Sequence, residues 1–201
     1  MIRQMLRAGA WPAVAGISGV ALVAGGCGVA FPAAGTALLT IAFTLLAAAA
    51  AFALDEPASQ VVDVTPTGPL QRTAVRAVAL LAPVVAGTVL ILAGAQRGLA
   101  LPWAATALAL GGNVALGFTV AWLARTRTGE PGAPVSAAVA LILMAPSLVP
   151  AVARRVSTFP TSGGATLSSN TVWWTVLALC IAAIAVSVDG RLLPHRLPGL
   201  R

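Results

Sequence analysis

The sequence predicts an all-α, polytopic membrane protein with six transmembrane helices and one transmembrane domain spanning residues 1–201. Three observations predict this class. First, 59% of the residues are hydrophobic and only 8% are charged, whereas a soluble domain carries about a quarter charged residues. Second, six spans of roughly 20 apolar residues need roughly 120 positions, close to the apolar share of this chain. Third, the 12 arginines and 5 acidic residues fall between the apolar runs, where a bilayer tolerates them.

The first span is expected over residues 8–30, with Pro12 in its opening turn, where a missing N–H costs little. Arg3, Arg7 and the Ala24-Gly25-Gly26-Cys27 run resemble a signal sequence. A second long apolar run follows directly, so the segment reads as a retained span. Phe31 to Gly35 makes a tight turn into an alanine-rich second span, 36–54. The connection from Asp55 to Gln71 holds three of the five acidic residues and three prolines. Span three covers 72–95, with Pro83 as an expected kink. Gln96-Arg97-Gly98 turns the chain into span four, 102–124. Span five, 134–152, is irregular. Its uninterrupted part, from Pro134 to Ala145, reaches only about 18 Å at 1.5 Å per residue. Pro146 and Pro150 follow, then Arg154 and Arg155. Residues 146–169 therefore form either a broken, re-entrant outer element or a kinked span with an ordinary loop. Span six covers 172–188, ahead of a basic tail.

Arginine counting sets the orientation. Nine arginines fall on one side and three (Arg97, Arg154 and Arg155) on the other. The positive-inside rule places both termini in the cytoplasm. The absence of lysine and the heavy use of alanine suggest a high-GC bacterium, and so its plasma membrane. The basic charge is scattered and forms no face for nucleic acid. Gly16, Gly19, Gly87, Gly94, Gly111, Gly112 and Ala115 would let helices approach closely. Such helices would pack within the chain, against a second membrane subunit, or as a homodimer.

The residue inventory argues against an enzyme. The single histidine, His195, lies in the tail, so no metal site built on clustered histidines is expected, and no cofactor. Gly16-Ile17-Ser18-Gly19 has the GxSG form of intramembrane serine proteases, but such a serine needs a histidine base within reach. Cys27 and Cys180 have no CxxC neighbour and read as small buried hydrophobes. Gradient-driven transporters usually carry an ionisable residue near the midplane, and the spans here have none. The strongest polar group within a span is Asn113, which would either line a translocation path or hydrogen-bond across helices.

Asp55 and Glu56 end the second span, where the helix dipole is already negative. Acidic groups there cost about 0.3–1 kcal/mol each. Compensation is expected from Arg72 and Arg76, from a partner protein, or from water.

Phe52-Ala53-Leu54-Asp55-Glu56-Pro57, Thr65-Pro66-Thr67, Arg72, Arg76, Trp173-Trp174 and Asp189-Gly190-Arg191 together resemble small integral membrane subunits of actinobacterial ABC-type exporters. The resemblance implies a permease that pairs with a separate ABC-type ATPase subunit and is itself not an enzyme. It implies that Asp55, Glu56, Arg72 and Arg76 flank a coupling segment between spans two and three. It also implies that Pro146, Pro150, Arg154 and Arg155 belong to a short outer element. The connection here is short and lacks an amphipathic helix. A stand-alone secondary transporter and an accessory subunit of a larger membrane complex are the other readings.

Overall fold

The computed structural model describes residues 10–55, 76–99, 101–125, 130–153, 155–156, 158–160 and 168–192. These residues form α1 (Trp11–Ala30), α2 (Gly35–Phe52), α3 (Leu81–Gln96), α4 (Trp103–Ala124), α5 (Gly132–Leu148), the one-turn α6 (Pro150–Ala153) and α7 (Ser169–Leu192). No strand occurs among the described residues. Five of the helices are long and apolar enough to cross a membrane, counting the 3-10 turn Val78–Leu80 with α3. The remaining longer helix, α5, has 17 residues, about 26 Å at 1.5 Å per residue. The chain is therefore built as a multi-pass membrane protein, with backbone groups satisfied inside helices, as a hydrocarbon environment demands.

The ends of the helices follow from local chemistry. Phe31 closes α1 by donating its N–H to the Cys27 carbonyl at 2.9 Å, and a 3-10 turn, Pro32–Ala34, leads into α2. Gly98 ends α3 at φ +71°. Its N–H reaches Ala95 O at 2.9 Å and the Leu99 N–H reaches Gly94 O at 3.0 Å, the pairing of a Schellman turn, which favours glycine at the left-handed position. Ser168 caps α7: its Oγ accepts from the Thr171 N–H at 3.4 Å, as N-cap serines do.

The prolines inside the helical runs act locally. Pro83 has no N–H to offer the Ala79 carbonyl, and just before it the helical run 76–96 tightens into the 3-10 turn Val78–Leu80. Pro146 does not stop the fifth helix at Ala145, which continues to Leu148. The break comes at Val149, which is extended (φ −116°, ψ 103°). Val149 precedes Pro150, and the residue before a proline is driven away from helical geometry.

Helix α2 is the centre of the bundle and packs against α1, α3, α4 and α5. Its Ala47–Ala51 run is wholly buried, together with Leu46 and Phe43. Short side chains there bring neighbouring backbones close. A Cβ on Gly117 of α4 would overlap the Ala47 carbonyl, and one on Gly28 of α1 would sit 3.0 Å from Gly35 O. Helix α7 lies at the edge, packed mainly along α4. Two tryptophans hold that seam. The Trp173 ring covers Gly112, and Trp122 Nε1 donates to Ser187 Oγ at 2.9 Å. Of the small residues expected to mediate packing, Gly87 and Gly112 do so, against Leu110 and Trp173. Gly16, Gly19 and Gly111 instead face open space, with nothing within 4 Å of a Cβ.

Five threonines inside the spans bond to their own helix. Thr40, Thr44, Thr88, Thr106 and Thr175 each donate to the carbonyl four residues back, at 2.8–3.0 Å. This local bond satisfies a hydroxyl without a partner helix.

Candidate functional site

The exit of α2 forms a buried elbow. Past Phe52 the chain tightens: the Ala53 N–H bonds Ala50 O at 3.2 Å and the Asp55 N–H bonds Phe52 O at 3.1 Å. Leu54 is fully buried, and Asp55 is 8% exposed. The Asp55 carboxylate turns toward the start of α5, where Oδ1 accepts the Gly132 N–H at 2.6 Å. Pro131 holds the N-cap position of α5 and provides no side-chain cap. Asp55 supplies the missing acceptor from another helix, doing the work of an N-cap carboxylate. Its charge lies at the negative end of α2 and the positive end of α5, so the second dipole offsets the first.

Gly132 is required by the fit. A Cβ there would overlap Asp55 Oδ2 and lie 2.6 Å from Phe52 Cδ1. Gly132→Ala is expected to destabilise the protein by about 1–3 kcal/mol, the usual cost of overpacking. Thermal unfolding in detergent should show a lowered midpoint, with Gly26→Ala unaffected because its Cβ would meet nothing within 4 Å.

Burial pushes the Asp55 carboxyl above its ordinary value of 3.8. The Gly132 N–H opposes that rise, Glu130 reinforces it by repulsion, and Arg125 opposes it by attraction. The sequence offered Arg72, Arg76, a partner protein or water as compensation for Asp55; among the described residues the structure gives it a backbone N–H of α5 and the nearby Arg125 at the exit of α4. Arg76 is buried at the approach to α3, at the same end of the bundle, where Ala53 and Ala79 share a packing cluster. Glu56 and Arg72 lie outside the described residues.

The segment after α6 forms a second feature. Val152 N–H bonds Val149 O, and the Val156 N–H bonds Val152 O, both at 2.9 Å. The chain then turns inward. Phe159 is buried, with its ring 5.6 Å from that of Phe43 and inclined at 69°. That edge-to-face geometry is favourable for aromatic pairs. Phe43 lies halfway along α2. Trp173 Nε1 donates to the Thr158 carbonyl at 2.7 Å, satisfying an irregular backbone group beside the bundle. Pro146 is half-buried within α5, and Pro150 opens α6. Arg155 is exposed, and Arg154 lies outside the described residues.

Asn113 is buried at 4% exposure in the middle of α4. Its Nδ2 donates to Ala109 O of the same helix at 2.7 Å, where the sequence suggested a bond across helices or a polar path. Ser18 is buried on the inner side of α1, and His195 lies outside the described residues. Among the described residues, no three His, Cys, Asp or Glu side chains group as metal ligands.

Compared with known proteins, the chain matches no family model, no curated protein and no solved structure.

Proposed function

We propose that this chain is a membrane-embedded transport subunit of the bacterial plasma membrane. It carries no catalytic groups of its own and works as the permease of an ABC-type exporter powered by a separate ATPase. Both termini are cytoplasmic in this reading, so the Asp55 elbow faces the partner. The observation that supports it best is the inward return of residues 158–160 onto Phe43 and Trp173. Non-helical backbone at membrane depth occurs where it is covered by protein or lines a path. The described span interiors contain no Asp, Glu, Arg or His, so a driving force supplied by a partner suits them better than one supplied by an internal proton or sodium site.

The test is purification of the tagged chain from its native membranes in mild detergent. An ATP-binding subunit should co-purify, and reversing the charge at Asp55 and Glu56 should deplete it. A chain that purifies alone and transports solute in proteoliposomes without nucleotide sinks the proposal.

The bare outer face of α7 favours a second reading, an accessory subunit. Trp174, Leu179, Ile181 and Val186 are each 65–71% exposed there, enough apolar surface to meet lipid or another membrane subunit.

A further inference from the structure

The elbow joins two helices through one ionisable group. Asp55 sits buried at the end of α2 with its Oδ1 on the first N–H of α5. Its carboxylate fills the space that a Cβ on Gly132 would occupy. Glu130, just before α5, repels the ionised form, and Arg125 at the end of α4 attracts it. From α2 itself come the last carbonyls of the helix, which form a negative end. Arg76, at the approach to α3, is the other described cation buried at this end. The helix held in this way, α5, runs to the break at Val149. Beyond that break, Phe159 packs back onto α2. Helix α2 therefore holds α5 at the elbow and also holds the segment that α5 leads into.

We propose that Asp55 is a proton-linked latch between α2 and α5, seated most firmly when its carboxyl is neutral and biased toward release when it is ionised. The sign follows from linkage. A carboxyl exposed to water titrates at its ordinary value, and the seated carboxyl titrates above it. The seated state therefore binds the proton more tightly, and the proton favours the seated state by the same factor. The latch is firm below the ordinary carboxyl value. It weakens as pH rises from there to the raised value, and it is weakest above that. A cap that acted only through its negative charge would show the opposite trend. The inference does not depend on which partner, if any, drives transport.

The experiment is hydrogen exchange on the full chain in lipid nanodiscs, followed by mass spectrometry of peptides covering residues 130–136. Rates are corrected for the intrinsic pH dependence of exchange and compared between about pH 3 and pH 8. Protection of the first turn of α5 should fall as pH rises, by up to about tenfold for each unit by which the seated carboxyl is raised. Asp55→Asn, neutral at every pH, should keep the low-pH protection throughout. Glu130→Gln removes the repulsion from an exposed position, so it should shrink the loss and end it at lower pH. Should Asp55→Asn fail to fold, the Glu130→Gln comparison decides. Protection that rises with pH overturns the latch, as does a pH response that survives Asp55→Asn or a Glu130→Gln response shifted to higher pH. No ATPase is present, so failure here is distinct from failure of the permease reading.

Discussion

Gly117→Ala is expected to push α4 off α2 and to lower stability by about 3 kcal/mol, the upper part of the overpacking range. The added Cβ would overlap the Ala47 carbonyl oxygen, its carbon and its Cα, all of them backbone. A clash with a long side chain relaxes by a change of rotamer. A clash with backbone relaxes only if one helix moves away from the other. Here that movement would open a contact in which Ala47 to Ala51 are completely or nearly completely enclosed. The control lies on the same helix. Gly111 has nothing within 4 Å of a Cβ, so Gly111→Ala should be neutral or stabilising by up to about 1 kcal/mol through helix propensity. Thermal unfolding of both variants in the same detergent checks the contrast. Equal midpoints would show that α2 and α4 are not packed as described.

Trp173→Ala should cost about 3–5 kcal/mol, the range for removing a buried large aromatic. Trp173 is 1% exposed and does two jobs. Its ring fills the face of α4 left open by Gly112, and its Nε1 holds the Thr158 carbonyl at 2.7 Å. Trp173→Phe keeps an aromatic ring over Gly112 but loses the part-buried hydrogen bond to Thr158, so its cost should be about 1 kcal/mol, that of one such bond. The neighbouring Trp174 is 65% exposed, and Trp174→Ala should change stability by no more than about 0.5 kcal/mol. The two cysteines provide the readout. Cys180 is buried on α7 and Cys27 is exposed on α1. A membrane-permeant maleimide should label Cys180 faster in Trp173→Ala and Cys27 at an unchanged rate. An unchanged Cys180 rate would mean that Trp173 does not hold α7 in place.

The positions of the helices were legible in the sequence because length, apolarity and turn chemistry are local. Phe31 to Gly35 and Gln96 to Gly98 turn where the sequence suggested. The helix after residue 102 runs to Ala124 as expected. For the fifth helix the sequence left open whether Pro146 kinks it or stops it. A proline removes one backbone bond, yet a helix survives that loss when its next turns remain well placed. Pro150 made the break, through its effect on Val149.

The inward faces were not legible. Each span is apolar on all sides, and a helix of that kind carries no amphipathic signal of which side is buried. Small residues were therefore counted as packing residues without distinction. In the structure Gly16, Gly19 and Gly111 point outward, while Gly87 and Gly112 make close contacts together with Gly25, Gly28, Gly35, Gly117 and Gly132, which the sequence did not single out. The partner of Asp55 was missed for a related reason. The sequence placed arginines nearby in the chain and offered them, a partner protein or water as compensation. The acceptor found its donor 77 residues away, in a backbone N–H that no residue type announces.

By itself, then, the sequence determined the apolar, all-helical build of this protein, the approximate ends of its long helices, and the confinement of charge to their ends. Those properties follow from transfer energies that act residue by residue. Only the tertiary structure decided that α2 is the centre, that Phe159 turns back onto it, and that Asp55 caps α5. Such choices depend on which small residue meets which large one, and on which buried acceptor reaches which N–H. Both are properties of pairs of surfaces, and the chain order does not encode them locally.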